Sequence, residues 1–197
     1  MSMFEPSPPR GDRGQAPLAF SIGHSTRTIE ELIAILGDAG VTCVADVRRV
    51  PMSRRYPHFN SDRLARSLSE TGIGYHHLPA LGGRRSARKD TVSRNTLWRV
   101  AAFRHYADYA ETPTFAEALR ELERLARERP TAYMCAEAVW WRCHRRLITD
   151  YLHVRSWDVI HLLAPGQQEA GSLTPGAVVH SDGTIEYPAT AAQPRLI

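Results

Sequence analysis

The sequence predicts an α/β fold: a single domain on a mainly parallel open sheet of about five strands, with helices on both faces and a C-terminal hairpin. Two observations predict it. Short apolar runs alternate with stretches of helical periodicity, the pattern of strands joined by helical crossovers. The length of 197 residues suits one domain with a sizeable core. A hydrophobic fraction of 43% and a charged fraction of 23% exclude wholesale disorder and a coiled coil.

Leu18 to Ile22 reads as the first strand and runs into Gly23-His24-Ser25. Thr28 then caps an amphipathic helix carrying Ile29, Leu32, Ile33, Ile35 and Leu36, which Gly40 stops. Val41 to Val47 is a buried second strand that leaves through Asp46-Val47-Arg48-Arg49-Val50-Pro51. Ser61 or Asp62 caps the next helix, with Leu64, Ala65 and Leu68 on one side. The Gly72-Ile73-Gly74 turn leads to a third strand near Tyr75 to Leu78. Ala80 to Thr96, rich in Gly, Arg and Ser, reads as a long surface loop that includes Arg84, Arg85, Arg88 and Lys89. Helices are expected from Trp98 to Tyr109, and from Thr112 or Thr114 through Phe115, Leu119, Leu122 and Leu125. After Pro130 come a fourth strand (Thr131 to Cys135), a last major helix (Trp140 to Val154) and a fifth strand (Trp157 to Leu163). Val178 to Tyr187 forms a hairpin turning at Ser181-Asp182-Gly183. The domain is therefore placed at 17–165, between a disordered tail over 1–16, with Pro6, Pro8, Pro9, Gly11 and Gly14, and a C-terminal tail over 166–197 that carries the hairpin.

Composition narrows the setting. No run approaches the roughly 18 apolar residues of a membrane span, so no membrane association is expected. The first sixteen residues lack the apolar core of a signal peptide. Cys43, Cys135 and Cys143 are too few, and odd in number, for a disulfide scaffold, which points to a reducing compartment and a cytoplasmic location. The formal net charge is +4, and Lys89 is the only lysine among 25 Lys and Arg residues. Arginine presents a planar fork suited to carboxylate and phosphate, so the positions of the arginines decide whether this bias has a function.

Open α/β sheets bind ligands beyond the carboxyl ends of their strands, where helix amino termini favour anions. The expected exits are Gly23-His24-Ser25-Thr26-Arg27, Asp46-Val47-Arg48-Arg49, Tyr75-His76-His77 leading to Arg84-Arg85, and Cys135-Ala136-Glu137 leading to Trp141-Arg142-Cys143-His144-Arg145. All fall on one edge of the predicted sheet.

These segments, together with Pro51, Ser53-Arg54-Arg55, Phe59-Asn60, Leu81-Gly82-Gly83-Arg84 and Phe103 with Tyr106-Ala107, resemble the domain-of-unknown-function family 488 over about residues 18 to 163. The resemblance implies an α/β fold and a shared polar pocket, and it carries no settled activity.

Cys135, at a strand end before a helix, is a candidate nucleophile. Its layout is similar to that of rhodaneses and cysteine phosphatases, although their Arg follows the Cys by six residues, where this chain has Trp141, and Arg142 comes one later. Cys143 shares a helical face with Leu147 and Tyr151 and reads as packing. His24 is a candidate general base or phosphate donor, with Ser25 beside it. Asp46 and Glu137 are expected to hold Arg48 and Arg145. Arg54, Arg55, Arg84 and Arg85 are then free for ligand charge. No Cys-x-x-Cys or His-x-x-x-His pair is present, so no metal site is expected, and nothing in the sequence specifies a cofactor. The reading that follows is a pocket for an anionic, phosphate-bearing ligand, a nucleotide or a nucleic-acid end. Whether the pocket catalyses is left open. The alternatives are a Cys135-dependent sulfur or phosphoryl transferase and a non-catalytic nucleic-acid or partner-binding module.

Overall fold

The computed structural model describes residues 16–87, 92–189 and 196. The predicted tail over 1–16 and the loop residues Arg88 and Lys89 lie almost wholly outside them. The elements run β1 (Leu18–Gly23), α1 (Ile29–Asp38), β2 (Cys43–Asp46), α2 (Ser61–Glu70), β3 (Gly74–His77), α3 (Ala101–Ala110), α4 (Pro113–Glu128), β4 (Thr131–Cys135), α5 (Arg145–Val154), β5 (Asp158–Ala164), β6 (Gln167–Ala170), β7 (Val178–Val179) and β8 (Ile185–Glu186).

The central strands are apolar because both of their faces are covered. In β4, Ala132 and Met134 point into one core with Phe20, Ile22, Leu32, Leu36, Leu64 and Leu68. Tyr133 and Cys135 point into the other, with Phe115, Leu119, Leu122 and Leu147. Successive strand side chains alternate between faces, so a strand needs two apolar sets to sit between two helical layers. Thr28 caps α1 through a complete capping box with Glu31, and Thr112 caps α4 at the Phe115 amide.

The sheet order is β3-β2-β4-β1-β5-β6, parallel throughout except for β6, which pairs antiparallel with β5. From β1 the chain steps outward through α1 to β2 and α2 to β3, then returns through α3 and α4 to β4 and crosses by α5 to β5. Right-handed crossovers in opposite directions put α1 and α2 on one face and α4 and α5 on the other, as the two cores record. At the adjacent strands β1 and β4 the outgoing connections therefore diverge to opposite faces and leave a crevice between them.

Three details depart from sequence expectation. A sixth strand, β6, has four exposed residues, Gln-Gln-Glu-Ala, and its lack of apolar pattern hid it. The helix expected from Trp140 begins only at Arg145: Trp140–Arg142 form a single 3-10 turn, and Cys143 is extended at φ −129°, ψ 153°. The break turns the Cys143-His144 pair out of the helix and onto the sheet edge. The cap of α2 is Asn60 rather than Ser61 or Asp62, and its side chain is occupied elsewhere, accepting from the Ser53 amide at 2.6 Å. The C-terminal hairpin forms as expected, antiparallel, with Gly183 at φ 81° in its turn. Tyr187 beyond it is buried, its hydroxyl donating to Asp150 at 2.8 Å. No helix among the described residues is long and apolar enough to cross a membrane.

Two glycines test the packing at the crevice. A Cβ at Gly23 would lie 1.8 Å from the Glu137 carbonyl oxygen, whereas one at Gly37 would meet nothing within 4 Å. Gly23→Ala is expected to cost about 3 kcal/mol, the upper end of overpacking penalties, and Gly37→Ala to gain up to about 1 kcal/mol of helix propensity. Urea midpoints measured at constant m-value check both; equal midpoints for the two variants would contradict the packing described.

Candidate functional site

The crevice opens into a cleft of about 1120 Å³ lined by the loops that leave β1, β2 and β4, by the Gly83-Arg84 turn and by α3. Its inner wall is a continuation of the sheet. The His24 amide donates to the Cys135 carbonyl at 2.9 Å and the Ser25 amide to Ala136 at 3.0 Å, extending the β1–β4 ladder past the strand ends. Ser25 then takes φ 51°, a left-handed value that turns the chain toward α1. Arg27 closes this turn from behind by donating to the Gly23 and Leu163 carbonyls. At the start of α1 the capping box takes the Thr28 and Glu31 amides.

The floor is a polar chain. Arg48, 7% exposed, donates through Nε and Nη2 to the fully buried Asp46, at 2.9 and 2.5 Å, and its backbone amide donates to the same carboxylate at 3.0 Å. Tyr75 donates to Asp46 Oδ2 at 2.8 Å, and burial beside this carboxylate pushes the phenol well up. The other amino group of Arg48 donates to His24 Nε2 at 3.3 Å. His24 Nδ1 carries the proton and donates to the Ser25 carbonyl at 3.0 Å, while its ring stacks on Phe59 at 4.1 Å. Burial and the Arg48 charge lower the His24 pKa to about 4, which keeps the imidazole neutral.

The second cluster lies where β4 meets the start of α5. The Cys135 and Cys143 sulfurs are 2.8 Å apart, and both thiols are free and buried. The Glu137 amide donates to Cys135 Sγ at 3.3 Å. His144 donates from Nε2 to the Val47 carbonyl at 3.2 Å, which leaves Nδ1 as an acceptor 3.5 Å from Cys143 Sγ. Burial pushes the Cys135 thiol up, and its bond to Cys143 and the charge there add to the effect. Burial opposes ionisation of Cys143 as well, but the Cys135 thiol, His144 and Arg145 outweigh it and lower that thiol well below its ordinary value. Cys135, Cys143 and His144 are also a donor set within 4.8 Å that could hold a metal ion, a cluster the sequence spacing gave no reason to expect.

The fold brings His24, Ser25, Arg48, Arg55, Arg84, Cys135 and Glu137 to the cleft wall, with Asp46 directly beneath Arg48. Arg54 and Arg145 are not on the wall. Arg145 is 1% exposed and structural: it donates to Ser21 Oγ at 3.1 Å and to the carbonyls of Glu137 and Ala138 at 2.6 and 3.2 Å. The Glu137 carboxylate expected to hold it is exposed and takes no part, because the backbone oxygen is closer to the buried guanidinium. Arg85 is withdrawn too, lying 3.7 Å over the Tyr109 ring and donating to the Pro79, Ala80 and Gly82 carbonyls. Sequence reasoning missed Arg49, Arg142, Cys143 and His144 as lining residues. The last three are adjacent in the motif at 142–144, and Cys143 also packs as read, in one buried cluster with Leu147 and Tyr151.

The sequence pattern of the domain of unknown function DUF488 matches residues 28–152. The chain belongs to that family. The matched span holds Asp46, Arg48, Cys135, Cys143 and His144, while His24 and Ser25 of this DUF488 protein precede it. No curated protein and no solved structure matches the chain.

The neutral His24 has a consequence for acid stability. Above pH 6.5 neither the folded nor the unfolded chain protonates it. Between pH 6.5 and about 4 the unfolded chain takes up the proton and the folded chain does not, so stability falls as pH drops through that window. The stability difference between wild type and His24→Asn is expected to shift against wild type by about 3 kcal/mol from pH 7 to pH 4. Urea unfolding of both proteins at the two pH values measures it, and a constant difference would show that His24 titrates normally.

Proposed function

We propose that the cleft binds an anionic, phosphate-bearing ligand, a nucleotide or a nucleic-acid end. The supporting observation is a set of guanidiniums without counter-charges. Arg49, Arg55, Arg84 and Arg142 line the wall, Glu137 is the acidic residue there, and none of the four arginines makes a salt bridge among the described residues. A ligand oxyanion would meet donors that no carboxylate has claimed, and charge-assisted bonds of this kind are the strong ones. Arg48 differs because Asp46 neutralises and orients it, so it offers direction more than charge. The arginines Arg49 and Arg84 are tied together, the guanidinium of the first donating to the carbonyl of the second at 2.8 Å, which fixes one side of the mouth. Phe103 and Tyr106 supply an apolar wall on which a base or another planar group can rest. The free thiols of Cys43, Cys135 and Cys143 fit a reducing compartment, and we place this activity in the cytoplasm.

Thermal melting with inorganic phosphate, nucleoside mono- and triphosphates and short DNA and RNA oligonucleotides tests this reading. A ligand at about 100 times its Kd adds about 2.7 kcal/mol and raises the melting temperature by several degrees. Arg55→Ala combined with Arg142→Ala is expected to weaken binding at least about tenfold, since each lost charged hydrogen bond removes about 1.5–3 kcal/mol. Melting that ignores every member of the panel would overturn the proposal. Binding that weakens steeply with salt yet is untouched in Cys135→Ala and His24→Ala would identify a non-catalytic nucleic-acid module instead.

A further inference from the structure

We propose that Cys143 and Cys135 form a thiol–disulfide exchange site, with Cys143 as the attacking thiol and Cys135 as the thiol that resolves its mixed disulfide, acting on low-molecular-weight disulfides that enter the cleft. The inference goes beyond anion binding and does not depend on it. It also reassigns the thiol chemistry, which the sequence centred on Cys135.

The two sulfurs are in contact at 2.8 Å although seven residues separate them in the chain, and both lie on the cleft wall. The groups around them are unequal. Cys143 faces the lone pair of His144 Nδ1, whose ring is held in that tautomer by the Val47 carbonyl. It also sits just before the first turn of α5, where the helix dipole favours negative charge. Arg145 beside it is buried and has no carboxylate partner among the described residues, so a Cys143 thiolate is the counter-charge available to it. Cys135 receives the Glu137 amide, which favours its thiolate, but burial and the neighbouring sulfur oppose its ionisation more strongly. Cys43 is buried on β2, away from this pair, and serves as an internal reference.

The exchange balances without any further group. His144 Nδ1 takes the Cys143 proton as the Cys143 sulfur attacks one sulfur of R–S–S–R. That S–S bond breaks, a Cys143–S–S–R bond forms, and the departing RS⁻ takes the proton from His144. Neutral His144 then accepts the Cys135 proton, and the Cys135 sulfur attacks Cys143 Sγ and expels the second RS⁻, which leaves as RSH. The protein dithiol has lost two electrons and two protons, and the disulfide has gained them. A dithiol reductant returns the pair to its starting state. Intracellular disulfides of this transient kind are compatible with a reducing compartment.

Hydroxyethyl disulfide is the test reagent, because it is uncharged and reports on the thiols independently of the arginines. Mass spectrometry of the full chain is expected to show two thiols lost, Cys135 joined to Cys143, and Cys43 still reduced. Cys135→Ser should accumulate the mixed disulfide on Cys143, and Cys143→Ser should react at least about tenfold more slowly. Limited alkylation of wild type with iodoacetamide at pH 6 should label Cys143 before Cys135, a readout that needs no variant to fold. An adduct trapped on Cys135 in Cys143→Ser, with Cys135→Ser inert, would overturn the assignment. So would a protein that holds zinc and whose thiols react only after chelation, which would make the cluster a metal centre.

Discussion

The buried guanidinium of Arg145 ties the loop after β4 to the strand beside it. It reaches Ser21 in the middle of β1 and two carbonyls, those of Glu137 and Ala138, in the loop itself. A cation taken out of water needs acceptors, and here two of them are backbone oxygens of the loop, which leaves the loop little freedom. The rest of the crevice follows from that constraint. The loop is drawn so close to β1 that Gly23 has no room for a side chain. It then reaches the extended Cys143 and the late start of α5, which stacks the second cysteine on the first.

Two buried arginines divide the cleft between them by having different partners. Arg48 has a carboxylate, Asp46, which takes up its charge and locks its plane, and the locked plane in turn holds His24 as a neutral acceptor. Arg145 has no carboxylate, so its charge acts on its neighbours and favours ionisation of Cys143. The arginines at the rim have neither burial nor carboxylate partners and remain available to whatever enters. One residue type thus does three jobs, set by what lies within hydrogen-bond reach of each guanidinium.

Much of the fold was legible because burial on two faces demands apolar strands and caps demand particular side chains. β1, β2, β4, β5, α1 and α4 stand close to where pattern placed them, Thr28 caps as read, and of the two threonines offered for α4 it is Thr112 that caps. β6 was not legible, since an exposed edge strand satisfies its backbone on one neighbour and places no demand on its side chains. The start of α5 was misjudged because Trp140-Trp141-Arg142 has no helix breaker. What interrupts it is tertiary, with Trp140 stacked 4.0 Å over His161 and its indole donating to Glu169 of β6.

The amino-acid sequence by itself determined the layer order of elements, the edge of the sheet on which the polar residues gather and the His, Asp, Arg and Cys inventory of that edge. Local pattern suffices there, because each strand exit is read from its own segment. Which arginines face the cleft and which of the two cysteines meets the His144 ring nitrogen were decided only in three dimensions. Those properties belong to contacts between segments far apart in the chain: Arg145 with Ser21, His144 with Val47, Arg48 with His24. A charge or a thiol takes its character from the dielectric and the hydrogen-bond partners around it, and the chain supplies those only when it is folded.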